Sequence, residues 1–147
     1  MAGLLHDIGK VVFDVLYAGE FQRAYQKARL EQKYIREVEI ESFDMDHSVA
    51  GELLAEHWNL PRVIVESIRF HHEPTKGLAD GRLAALTSWA DFVTYQSGLG
   101  ENSNGRDAEP PEESPVLYVP EAAWKAVVDE LEASHERINA FLGVLRG

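Results

Sequence analysis

Leu4-Leu5-His6-Asp7-Ile8-Gly9-Lys10-Val11-Val12 decides how the rest of this chain is read. Leu4, Leu5, Ile8, Val11, Val12, Val15 and Leu16 recur at three- and four-residue steps, the period of a helix with one apolar face. A histidine and an aspartate inside such a run are costly to bury without a partner. A divalent ion satisfies both, because imidazole nitrogen and carboxylate oxygen suit transition metals. On a regular helix the two side chains diverge by about 100°, so an ion would have to sit between their directions. The competing reading makes His6 a hydrogen-bonded core residue and pairs Asp7 with Lys10, its i,i+3 neighbour. Gly9 is expected to bend or interrupt the helix, since glycine is a poor interior helix residue.

Helical periodicity continues outward from this segment. Phe21, Ala24, Tyr25 and Ala28 draw an apolar stripe on a charged helix running from Glu20 to about Lys33. A short segment follows around Val38 to Phe43, with Asp44 and Asp46 as candidate caps. Val49, Ala50, Leu53, Leu54 and Trp58 form the face of the next helix. Pro61 suits the first turn of another, which carries Ile64, Val65, Ile68 and Phe70 and ends near His72 ahead of Pro74. Asp80 is a candidate cap for a helix bearing Leu83, Leu86, Trp89, Ala90, Val93 and Tyr95, stopped near Gly98-Leu99-Gly100. Residues 101–115 are polar and rich in Gly, Pro, Asn and Glu, the composition of a surface loop. Val116 to Val119 is strand-like but too short to imply a sheet. Pro120 opens a last helix whose buried side is expected to carry Trp124, Val127, Val128, Leu131, Ile138, Phe141, Leu142 and Leu145. The reading is an all-α bundle of six or seven helices in a single domain over 1–147.

Composition narrows the function. Lys and Arg total 14 against 25 Asp and Glu, a formal net charge of -11 in 147 residues. That balance argues against general nucleic-acid binding, which needs clustered cations. It leaves room for a small phosphorylated ligand, because a metal can reverse the local field. With no cysteine, a disulfide framework and a thiolate metal site are both excluded. No stretch reaches the length of a membrane span, and no charged segment precedes an apolar run at the start, so a cytoplasmic location is expected.

Four further residues join His6 and Asp7 as candidates. His47 follows Asp46 near a helix start. His71 and His72 stand in tandem where an apolar helix ends, so the chain is leaving helical geometry and adjacent rings can aim at neighbouring points. Asp91 lies between Trp89-Ala90 and Phe92-Val93, and a carboxylate in such a run needs a specific partner. His57 reads as an exposed helix member and His135 as part of a charged patch. Trp58, Trp89 and Trp124 read as core anchors. No Gly-x-Ser-x-Gly or Ser-x-x-Lys occurs, so serine nucleophile chemistry has no support.

His6-Asp7-Ile8-Gly9-Lys10 followed by Ala90-Asp91 resembles the HD superfamily of metal-dependent phosphohydrolases. His47-x-x-x-Gly51, Leu54, Trp58-x-Leu60-Pro61, Ile64, Ile68 and His71-His72 match, in order and spacing, its HDOD branch, which is associated with bacterial signal transduction. The resemblance implies an HD-like helical bundle. It also implies a mono- or dinuclear metal set of His6, Asp7, His47, His71, His72 and Asp91, with Asp7 bridging the ions where there are two; Lys10 reads equally as a phosphate contact or as an ordinary surface lysine. Fe, Mn, Zn, Ni and Co are all admissible for nitrogen and oxygen ligands.

Two departures bear on function. HD hydrolases carry a further histidine on an earlier helix and HDOD proteins a preceding helical half, so the chain reads as the C-terminal part of a longer family domain. The related HD-GYP phosphodiesterases follow their tandem histidines with Gly-Tyr-Pro, where this chain has Glu73-Pro74-Thr75-Lys76-Gly77. Two classes result. One is a regulatory or signalling domain, with its metal retained or lost, that binds a protein partner or a small phosphorylated ligand; the other is a metal-dependent phosphohydrolase, with Asp7 and Lys10 as its catalytic residues. The apolar face of the first helix, with Leu4, Leu5 and Ile8, is expected to lack cover within one copy and so to favour a homodimer.

Overall fold

The computed structural model describes residues 1–76, 81–99, 110–111 and 116–146, with side chains described as far as Arg137. Seven α-helical segments account for it: α1 (Ala2–Leu5), α2 (Ile8–Glu31), α3 (Ile35–Phe43), α4 (His47–His57), α5 (Arg62–Phe70), α6 (Arg82–Gln96) and α7 (Glu121–Arg146), with a 3₁₀ turn at Pro74–Lys76. The all-α expectation holds, and no strand is formed among the described residues. α2 packs on α3 and, more extensively, on α4; α4 packs on α5, α5 on α6, and α6 on α7. The single turn of α1 closes against α5 and α6. Among the described residues no helix is long and apolar enough to cross a membrane.

The helix ends follow local chemistry. Asp46 caps α4 by accepting the Val49 N–H at 3.0 Å, as a short side chain with an acceptor oxygen should. Gln32 and Asp44 take left-handed conformations that end α2 and α3. Gly98, at φ 68°, stands just beyond α6, where a residue without Cβ bears that angle at least cost. Asp80 lies outside the described residues, and Gly81 occupies the N-cap position of α6. Of the loop expected over 101–115, Pro110 and Pro111 alone are described.

Gly9 does not interrupt the helix. It is buried as the second residue of α2, and the chain breaks two residues earlier, at Asp7, which takes φ -98° and ψ 11°. A second irregularity falls at Tyr17, φ -139° and ψ 40°, which kinks α2 between its two apolar stripes. Gly9 serves the crossing of α2 and α4 instead. A Cβ there would lie 2.7 Å from the His47 carbonyl carbon and 2.8 Å from the Gly51 nitrogen. The two glycines let the backbones meet closely enough to set His47 beside Asp7.

The core forms in three patches along these crossings. Ala24, Ala28, Ile35 and Val38 join α2 to α3, while Phe13, Phe21 and Ala50 join both halves of α2 to α4. Ala55, Val65 and Ile68 join α4 to α5, and Leu5 and Ile8 pack against them. The expected bare face of the first helix is therefore corrected in part. Leu5 and Ile8 are partly buried against the α4–α5 cluster, whereas Leu4 remains 85% exposed. Trp58 is also corrected: it ends α4 pointing outward and is half exposed. Trp124 does anchor α7, edge-on to Phe92 with centroids 5.1 Å apart, but Val127 is exposed. The expected burial of Ile138, Phe141, Leu142 and Leu145 falls outside the described side chains.

Candidate metal centre

Four elements bring the candidate side chains to one place. The α1–α2 break carries His6 and Asp7, the first residue of α4 is His47, His71-His72 leave the end of α5, and Asp91 stands on α6. Breaking the helix between His6 and Ile8 removes the divergence a regular helix would impose, so both side chains serve the same cluster. Asp7, His47, His71 and His72 each offer one ligand atom, and these four atoms all lie within 4.8 Å of one another. His6 and Asp91 adjoin them: His6 Nε2 lies 3.5 Å from Asp7 Oδ2 and 3.4 Å from Asp91 Oδ1. All six residues expected to act together are thus brought together.

Asp7 is the hub. Its Oδ1 lies 3.2 Å from His47 Nε2 and 3.7 Å from His71 Nε2, while its Oδ2 faces His6 and accepts from Lys10 Nζ at 2.6 Å. The i,i+3 pairing of Asp7 with Lys10 and the gathering of histidines are therefore both present, on different oxygens. His47 Nε2 and His72 Nε2 stand 2.9 Å apart, two ring nitrogens directed at the same space. The outer ring nitrogens are tied down: His6 Nδ1 donates to the Gly3 carbonyl at 2.8 Å and His71 Nδ1 to that of Ile68 at 2.7 Å.

Burial and charge set the protonation. Burial, reinforced by the neighbouring His47, pushes His71 down to about 3, and burial with His71 beside it also holds His72 well below the ordinary histidine range. Both rings are neutral at pH 7, the form in which imidazole binds metals. Burial opposes the charged form of His47 and His6 too, but contacts with Asp7 and Glu39 outweigh it for His47, and Asp91 and Asp7 do so for His6, so both are raised. Burial would lift Asp7 as well; His47, Lys10 and His6 reverse this and hold its carboxyl far below the usual range.

The donor set fits a divalent cation. His6 Nε2, Asp7 Oδ1 and His71 Nε2 are buried atoms with no hydrogen-bond partner. Buried polar atoms without partners are rare, and three at one cluster call for a group that accepts lone pairs. Asp7, His47, His71 and His72 would hold an ion, and His6 adjoins the other oxygen of Asp7 with Asp91 beside His6.

The family model of the HDOD domain matches residues 1–74. The chain belongs to the HDOD family. That match covers His6, Asp7, Lys10, His47, His71 and His72, while Asp91 lies beyond it. An uncharacterized protein of Treponema pallidum (strain Nichols) is 36% identical over 73 residues, which is 49% of this chain and 14% of that relative. The matched stretch is thus a small part of the relative's length. No solved structure matches this HDOD chain.

Sequence reasoning missed Glu39. It is fully buried on α3, and its Oε2 accepts from both the backbone N–H and Nδ1 of His47. Its signal was its place in the period: Glu39 is four residues after Ile35 and next to Val38, both buried, so an ionisable group stood on an inward face. Arg36 was also passed over; it forks onto Asp46 with Nε and Nη2 at 2.8 and 2.7 Å, bracing the cap that precedes His47.

Proposed function

We propose that this HDOD chain is a cytoplasmic regulatory domain of bacterial signal transduction that retains a divalent-metal centre. One observation supports the reading: four ligand atoms from Asp7, His47, His71 and His72 within 4.8 Å, with Asp7 Oδ1 and His71 Nε2 buried and without a hydrogen bond. The domain spans residues 1–147. It works as a homodimer, toward a protein partner or a small phosphorylated ligand. Leu4 on α1 and Val11, Val15 and Leu16 on the first half of α2 are exposed, which supports an apolar contact through these helices. Its metal is one of Fe, Mn, Zn, Ni or Co, since nitrogen and oxygen donors admit each.

The regulatory reading is preferred to hydrolysis for two reasons. The tandem histidines lead into Glu73-Pro74-Thr75 in place of Gly-Tyr-Pro, and Lys10 is engaged by Asp7. A phosphohydrolase is the second reading, favoured by the two faces of Asp7: Oδ1 toward His47 and His71, Oδ2 toward His6. In that case the six residues would hold the metal, which supplies Lewis-acid chemistry toward a phosphoryl oxygen.

An assay of phosphodiester hydrolysis on bis(p-nitrophenyl) phosphate, with Mn²⁺ supplied, separates the two. No turnover above the metal-free control is expected. Turnover that disappears in Asp7→Ala would make this protein an enzyme and overturn the regulatory assignment.

A further inference from the structure

We infer that Glu39 is a positioning residue that fixes the tautomer and aim of His47 as a metal ligand. The inference rests on the metal-centre reading above and assigns a role to a residue outside the six. Glu39 and His47 are both fully buried, and Oε2 takes two donors from one residue: Nδ1 at 2.6 Å and the backbone N–H at 2.9 Å. An ionised carboxylate only accepts hydrogen bonds, so Nδ1 must carry the ring proton in this arrangement. Nε2 faces Asp7 Oδ1 and His72 Nε2, so once its own proton gives way to a metal its lone pair points into the cluster.

A comparison within the cluster sharpens the point. His6 and His71 also have Nδ1 tied back and Nε2 presented, but each to a backbone carbonyl of its own segment. His47 opens α4, so Nδ1 has no preceding helical turn to bond. The carboxylate from α3 takes that place and meets the first free N–H of α4 as well. Burying a carboxylate is costly, and its Oε1 has no partner at all. Glu39 therefore adds little to packing that an apolar residue would not, which fits a residue placed to orient a ligand. A carboxylate behind a ligating histidine also raises the ring's basicity, and removing such a partner lowers metal affinity by about 10- to 100-fold.

The test pairs two readouts on the whole chain. Long-range ¹H–¹⁵N spectra of the metal-free protein, recorded at alkaline pH where the ring is neutral, report the His47 tautomer, and Co²⁺ titration followed by visible absorption reports affinity. Wild type should show the Nδ1–H form. Glu39→Gln, nearly the same shape, should stay folded and bind Co²⁺ about 10-fold more weakly, and Glu39→Ala about 100-fold more weakly with mixed tautomers. Glu41→Gln, an exposed change on the same helix, should leave the affinity unchanged. An Nδ1–H form in wild type that is lost in Glu39→Ala, without Co²⁺ binding by any variant, would uphold Glu39's hold on the ring and sink the metal reading instead. Equal Co²⁺ affinity in wild type and Glu39→Gln and Glu39→Ala, or an Nε2–H ring in wild type, would overturn the role of Glu39.

Discussion

Gly9→Ala is expected to destabilise the fold by about 3 kcal/mol or more, the upper range for overpacking a close contact. The added methyl would meet the His47 carbonyl group, with the carbon at 2.7 Å and the oxygen nearer still, and the Gly51 nitrogen at 2.8 Å. All are backbone atoms of α4, so no side-chain rotation relieves the clash and the helices must separate. That separation would also draw Asp7 away from His47, coupling the loss of stability to loss of the site. For a chain of this size the fall in Tm should be roughly 6–12 °C. Gly51→Ala is the informative comparison. Its methyl would meet the Ile68 Cγ2 methyl at 2.7 Å, a side-chain contact where Gly9 meets backbone at comparable or shorter distances, so its penalty should be smaller. A loss below about 1 kcal/mol for Gly9→Ala, measured by urea unfolding, would show that the α2–α4 crossing is looser than described.

Asp7→Asn is expected to abolish the stabilisation that divalent metal confers. A ligand present at 100 times its Kd stabilises a fold by about 2.7 kcal/mol, or roughly 5–11 °C in Tm here. Asp7 is the residue on which that gain turns, because its two oxygens face His47 and His71 on one side and His6 on the other. The amide keeps the shape but loses the charge and one acceptor, while the histidines stay in place. Thermal unfolding with and without Mn²⁺ should give a clear shift for wild type and almost none for Asp7→Asn. An equal shift in both would place the bound metal elsewhere on this acidic surface.

The helices were legible where apolar period and breakers agree. The stripe of Phe21, Ala24 and Ala28, the cap at Asp46 and the stop at Gly98 all follow from short-range rules. Crossings were less legible, because they depend on residues far apart. Gly9 reads as a helix breaker in isolation, and its purpose becomes visible only once Gly51 and the His47 backbone lie against it. Trp58 misled for a related reason: its size suggests a core anchor, but its position at the end of α4 turns it to solvent.

The six candidate residues were legible through their types and order, whereas their convergence depends on a break at His6-Asp7 that the apolar pattern does not signal. Glu39 was hidden by its setting. Among Glu37, Glu39, Glu41 and neighbouring charges it passes for one more solvated residue, and only its phase relative to Ile35 and Val38 marks it as inward.

Titration of metal-free protein with Mn²⁺, with bound metal counted by elemental analysis after gel filtration, tests the central claim most directly. Uptake of at least one equivalent per chain, lost on replacing Asp7 or His71, is the expected result. Protein that takes up neither Mn nor Fe, and likewise fails with Zn, Ni and Co, would contradict the metal centre on which the functional reading stands.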